Sequence, residues 1–109
     1  MSVSDADIAF AHDLFAPLGV ITSRKMMGGL TLYADGHIFA ILDGQGTVFL
    51  RAKGELAKAL LDAGARQFSS VDKAGKTSSM GYWTLPEAAL DDPDLACDWA
   101  RKALTGPYS

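Results

Sequence analysis

The segment from Val20 to Ala52 constrains the fold most, because turn dipeptides divide its β-branched and aromatic residues into short pieces. The dipeptides are Gly28-Gly29, Asp35-Gly36 and Asp43-Gly44. Asp35-Gly36 is the clearest turn, since a type I′ hairpin needs positive φ at both central residues and this pair tolerates it. The pattern predicts a meander of antiparallel strands. The expected strands run at about Ile21 to Met26, Leu30 to Ala34, His37 to Leu42 and Val48 to Ala52.

Helix signals surround this strand region. Ser4 can cap a first helix, with Asp7 at the acidic position of a capping box. A middle helix is expected over residues 55–63, and Asp92 followed by Pro93 marks the start of a last helix. The apolar residues at helical spacing, which we expect to face the core, are Ile8, Ala11, Phe15 and Leu18 in the first helix, Leu56, Leu60 and Leu61 in the middle one, and Leu95, Trp99, Ala103 and Leu104 in the last.

The segment between the middle and last helices is less regular. Phe68 to Ser79 is mostly polar, which predicts a solvated hairpin loop. Met80 to Leu85 has strand composition and stops at Pro86, which cannot donate to a strand ladder. The sequence therefore predicts an α+β fold in which N-terminal, middle and C-terminal helices pack on an antiparallel β-meander sheet. With 109 residues, we expect residues 1–109 to form a single domain.

Composition narrows the cellular setting. The longest apolar run, Ile38 to Leu42, is far shorter than the roughly 20 residues that cross a bilayer, and the N-terminus lacks a secretory signal. Cys97 is the single cysteine, which fits a reducing compartment. A net charge of -3 weighs against holding nucleic acid by bulk electrostatics. We expect a cytoplasmic protein without membrane association.

No group of residues has the spacing of a catalytic site. Gly75-Lys76-Thr77 resembles the end of a phosphate-binding loop, but a serine stands where the motif needs its first glycine. Ser70 to Lys73 matches a nucleophile motif that requires two further motifs around a deep cleft. His12, His37 and Cys97 lie too far apart in sequence to form a chelating motif. The sequence predicts neither an enzyme nor a protein with a cofactor or metal.

Basic residues near two strand ends form a candidate interaction patch. Arg24 and Lys25 lie at the end of one predicted strand, Arg51 and Lys53 at the end of another, and both pairs can gather beside Gly28-Gly29. Such a patch can receive an acidic protein surface or a nucleic-acid phosphate. Charges at solvated strand ends also occur without any partner, so both interpretations stay open.

Five segments form an ordered pattern along nearly the whole chain. They are Arg24-Lys25-Met26-Met27-Gly28-Gly29, the Tyr33-x-Asp35-Gly36-x-x-Phe39-Ala40 hairpin, Val48-Phe49-Leu50-Arg51, Gly64 with Phe68, and Met80-Gly81-Tyr82-Trp83-x-Leu85-Pro86. Together they resemble the N-terminal domain of the TfoX (Sxy) competence-regulator family. The full regulators also carry a C-terminal helical domain. Because this sequence ends at Ser109, we expect a standalone copy of the N-terminal domain.

The resemblance implies a non-enzymatic regulatory or protein-interaction module. Full members act as coactivators that help the cyclic-AMP receptor protein at a subset of competence promoters, so the implied partner belongs to the transcription machinery or is a regulator. Association with DNA would then be indirect, and open strand edges leave room for a homodimer. Two alternatives stay open. One is a small-ligand binder or enzyme that uses the sheet face near Gly28-Gly29, Tyr33 and Tyr82, and the other is direct DNA binding through the basic patch.

Overall fold

The computed structural model describes residues 3–26, 28–71 and 77–105. The helices are α1 (Asp5–Leu14), α2 (Glu55–Asp62) and α3 (Pro93–Thr105), with short 3-10 helices at Ala16–Leu18 and Glu87–Asp91. The strands are β1 (Ile21–Met26), β2 (Gly29–Ala34), β3 (His37–Leu42), β4 (Val48–Arg51), β5 (Gln67–Val71) and β6 (Thr77–Thr84). They form one antiparallel sheet in the order β1-β2-β3-β4-β6-β5. The predicted α+β fold is confirmed.

The turns that define the meander follow from local chemistry. Asp35 and Gly36 have φ of 51° and 80°, and Ala34 pairs with His37 across them, as a type I′ hairpin requires. In the next turn, the Asp43 side chain accepts hydrogen bonds from the backbone N–H groups of Gln45 at 2.9 Å and Thr47 at 3.0 Å. The first four strands lie within one residue of their predicted bounds.

Both outer helices begin at the predicted caps. Ser4 Oγ accepts the backbone N–H of Asp7 at 3.1 Å, and the Asp7 carboxylate accepts the backbone N–H of Ser4 at 3.3 Å, completing the capping box. Asp92 Oδ1 accepts the backbone N–H groups of Asp94 at 3.1 Å and Leu95 at 3.3 Å. The predicted end of the last helix at Gly106-Pro107 lies outside the described residues.

The predicted loop from Phe68 to Ser79 is wrong over most of its length. β5 reaches Val71 and β6 begins at Thr77, with Ser70 paired to Ser78, and residues 72–76 lie outside the described part of the chain. Sequence reasoning expected two short strands between the middle and last helices but left these residues in a loop, because it required apolar alternation. Strands at the edge of a sheet can pair without such alternation, because the hydrogen bonds between them join main-chain N–H and C=O groups.

One core lies between the helices and one face of the sheet. Phe15, after α1, and Phe39 in β3 are both completely buried, and their rings meet edge to face with centroids 5.0 Å apart. The same core contains every fully buried helix residue. It also contains the leucines of this sheet face, which are Leu30, Leu32, Leu42 and Leu50.

The buried side of α3 differs from the predicted stripe. The fully buried residues are small: Ala96, Cys97, Ala100 and Ala103. Leu95, Trp99 and Leu104 are only partly buried, and the Trp99 ring lies 4.9 Å from the Lys102 ammonium. The pattern predicted the largest residues as core, whereas small residues let a helix backbone approach its neighbours closely. Leu61 of α2 was also expected in the core but is 55% exposed, because its neighbour Leu60 occupies the position that faces the core.

Candidate functional site

The sheet face turned away from the helices carries its own set of apolar and polar side chains, here called the open face. Its residues lie in rows that cross the strands and alternate with core residues, except at Phe39 and Ala40 of β3, which both face the core at the irregular pairing. They are Arg24, Met26, Thr31, Tyr33, Ile38, Ile41, Phe49, Arg51, Phe68, Tyr82 and Thr84. Phe49 and Tyr82 are buried, yet neither belongs to the core cluster under the helices. The open face therefore has packing of its own.

The open face is concave. Phe49 of β4 and Phe68 of β5 meet edge to face with ring centroids 4.9 Å apart, although β6 lies between their strands. Met26 of β1 and Phe68 line the same depression, yet a flat sheet would separate these two edge strands by roughly 24 Å, at about 4.8 Å per strand. Irregular pairing at two places, between Leu32 and Tyr33 and between Gln67 and Ser69, is consistent with this curvature because bulges increase twist.

The depression at the centre of the open face has a volume of about 280 Å³. Its walls come from five strands, so only the folded sheet assembles them. The side chains that line it include Met26, Thr31, Ile38, Ile41, Phe68 and Tyr82.

A row of polar groups borders this depression at one end. Arg51 in β4 lies directly opposite Tyr82 in β6, and Tyr33 in β2 lies opposite Ile38, a wall residue. The hydroxyl of Thr31, another wall residue, donates to the carbonyl oxygen of Arg24 at 3.2 Å and lies 3.3 Å from the Tyr33 hydroxyl. Arg51 is half-buried, and in the described part of the chain no carboxylate forms an ion pair with it.

Burial keeps the Tyr82 phenol of this row protonated near neutral pH. Burial raises the pKa of Tyr82, the Arg51 guanidinium lowers it, and Tyr33 raises it again, with burial the largest effect. A protonated phenol donates a hydrogen bond and does not neutralise the adjacent guanidinium. The row is therefore a set of donors around one positive charge.

The structure separates the members of the predicted basic patch. Arg24 and Arg51 share the open face, but β2 and β3 lie between their strands. Lys25 pairs with Leu30 and so points to the other face of the sheet, and Lys53 is an exposed residue beyond the end of β4. Whether Arg24 and Arg51 bind a partner stays a prediction.

The two glycines of that patch have backbone roles. Gly28 has φ of 84° in the β1–β2 turn, and its carbonyl accepts the N–H of Val3 at 2.8 Å. A Cβ on Gly29 would overlap the carbonyl oxygen of Leu42. Gly29 also lines the depression, so its missing side chain permits the close strand approach at that edge.

Sequence reasoning missed the apolar half of the site, including Ile38, Ile41, Phe49 and Phe68. The signal was present, because β3 and β4 are apolar at successive positions and not only at alternate ones. Such continuous runs are typical of strands with both faces packed. Interpreted in that way, the sequence would have predicted a second apolar surface opposite the helices.

Other candidate groups are placed apart from this face. Cys97 is completely buried, and its Sγ lies 3.6 Å from the carbonyl oxygen of Leu14. His12 Nε2 lies 2.9 Å from Ser23 Oγ. Across residues 3–26, 28–71 and 77–105, no group of three or more His, Cys, Asp or Glu side chains has the geometry to hold a metal ion. Within the same residues, no helix has both the length and the apolar character to cross a bilayer.

Comparison with known proteins identifies the family. Residues 13–106 match the family model of the TfoX N-terminal domain, which is nearly the whole chain. No curated protein shows significant similarity to the chain. The chain belongs to the TfoX N-terminal domain family, as the ordered segments in the sequence predicted.

Proposed function

We propose that this member of the TfoX N-terminal domain family is a non-enzymatic regulatory module that acts by docking a protein partner on its open face. One observation carries the proposal. The sheet buries one face under its helices and presents on the other a concave surface rich in aromatic and apolar side chains. Aromatic residues and arginine are enriched at the centres of protein interfaces.

The chemistry of the open face supports a partner with an acidic, apolar contact surface. The strands β1 to β6 contain no Asp or Glu, and their three cationic residues are Arg24, Lys25 and Arg51. Two of these cations lie on the open face. A carboxylate on the partner would find a positive charge there and no like charge from the strands.

The family resemblance supports a transcription regulator as the partner. We propose that the chain contacts the cyclic-AMP receptor protein in the cytoplasm and reaches DNA only through it. In this arrangement the open face faces the partner, while the helix layer, which carries most of the acidic residues, faces away from DNA.

Site-specific photocrosslinking tests the proposal with a matched pair of positions. Met26 on the rim of the open face is 54% exposed, and Leu61 on α2 is 55% exposed. We expect a benzoylphenylalanine residue at position 26 to crosslink to the purified cyclic-AMP receptor protein of the same organism, with cyclic AMP present. We expect none at position 61. Equal yields at the two positions, or no crosslink at either, would contradict the proposal.

A further inference from the structure

The depression on the open face has the composition of a ligand site and not of a bare interface. Its walls are mostly apolar, but Thr31 and Tyr82, both more than nine-tenths buried, and Asp43 also line it. Asp43 follows β3 at the end away from Ile38, and its carboxylate accepts the backbone N–H groups of Gln45 and Thr47. Small-molecule sites combine an apolar lining with a few placed polar groups in this way. At about 280 Å³ the depression is slightly smaller than the usual range of such sites, which begins at about 300 Å³. A depression of this size encloses the body of a compact molecule.

The polar row selects the charge of that molecule. Arg51 lies opposite the wall residue Tyr82, and no described carboxylate pairs with it. Tyr82 is a neutral donor beside it. A half-buried guanidinium that no described carboxylate pairs with can donate two parallel hydrogen bonds to the carboxylate of a ligand. An apolar body in the depression would place a short acidic arm at this row.

We propose that the open face binds a small amphipathic carboxylate, with its apolar body among Ile38, Ile41 and Phe68 and its carboxylate at Arg51 and Tyr82. The site lies inside the proposed docking surface, so an occupied depression would alter the surface that a partner meets. Ligand binding by the chain alone does not depend on that partner, and the two proposals can therefore fail separately.

Titration of the ¹⁵N-labelled protein with 4-phenylbutyrate tests the inference. The matched probe is 4-phenylbutyramide, which has the same apolar body without the charge. We expect saturable amide shifts for residues around the depression with the acid, and an affinity about tenfold weaker with the amide. Tenfold is the effect of about 1.4 kcal/mol, the strength of a modest charge-assisted hydrogen bond. This comparison needs no variant protein.

Two variants then locate the charge. Arg51→Gln should reduce the affinity for the acid to that for the amide and leave the amide unaffected. Lys58→Gln removes the same charge from α2 on the helix side and should change neither affinity. Equal affinities for acid and amide in the unmodified protein would overturn the inference. So would an unchanged affinity of Arg51→Gln for the acid, or shifts confined to the helix layer.

Discussion

The edge-to-face pair of Phe15 and Phe39 ties the helix layer to the sheet, and its contribution can be measured. Both rings are completely buried, so replacing either by leucine removes three buried carbons. At about 0.8 kcal/mol for each carbon, each single change should lower the free energy of unfolding by roughly 2 to 3 kcal/mol. A domain of this size has about 5 to 15 kcal/mol of stability in total. Each single variant should therefore fold and give a measurable urea transition.

The double variant tests whether the contact itself matters. An aromatic pair contributes about 0.5 to 1.5 kcal/mol beyond its burial, so the double loss should be about 1 kcal/mol smaller than the sum of the two single losses. Phe10→Leu is the control, because Phe10 lies on α1 but is 43% exposed. It should cost no more than about 0.5 kcal/mol. Losses at Phe15 and Phe39 that add to within about 0.5 kcal/mol would refute the contact.

Three further changes test the fold at separate places. Gly29→Ala forces a Cβ into the carbonyl oxygen of Leu42 and should lower the stability by about 1 to 3 kcal/mol; an unchanged melting temperature would show that the two strands lie farther apart. Asp92→Ala removes the cap of α3 and should cost about 0.5 to 2 kcal/mol, while Asp92→Asn restores most of it, and equal losses for both would exclude the cap. Burial raises the pKa of Cys97 above its ordinary value of 9.0, so above that pH the unfolded chain loses a proton that the folded chain keeps. The stability should then fall by about 1.4 kcal/mol per pH unit. In Cys97→Ala the free energy of unfolding should fall less steeply between pH 9 and 10, a range that lies below the ordinary pKa of Tyr82. An identical pH dependence in the variant and the unmodified protein would contradict the buried thiol.

The predictable features of this fold are those that neighbouring residues decide. Asp35-Gly36 adopts its turn because both residues accept positive φ. Ser4 and Asp92 cap their helices through hydrogen bonds that reach only two or three residues along the chain. The strand bounds followed because such turns fix where each strand begins and ends. None of these inferences required knowledge of distant contacts.

The features that sequence reasoning missed depend on distant partners. Nothing local shows that β6 inserts between β4 and β5, because strand order is set by which faces must be buried together. The predicted buried stripe of α3 was Leu95, Trp99, Ala103 and Leu104. Ala103 is buried, but the others are only partly so, and Ala96 and Ala100 face the core instead. The depression escaped notice for the same reason, since Met26 and Phe68 meet only through the curvature of the whole sheet.

The distribution of charge also changes what the net charge of -3 means for binding. The α-helices and 3-10 helices hold nine of the 13 acidic residues, and the six strands hold none. The molecule measures 25 Å along its shortest axis, whereas salt screens charges over about 10 Å at 0.1 M ionic strength. The acidic helix layer is therefore largely screened from the open face. The sequence argument against nucleic-acid binding therefore applies to the helix side. At the depression, the nearby charges are those of Asp43, which accepts backbone N–H groups at one end, and of Arg51 beside Tyr82 at the other, and the proposed carboxylate would bind at the Arg51 end.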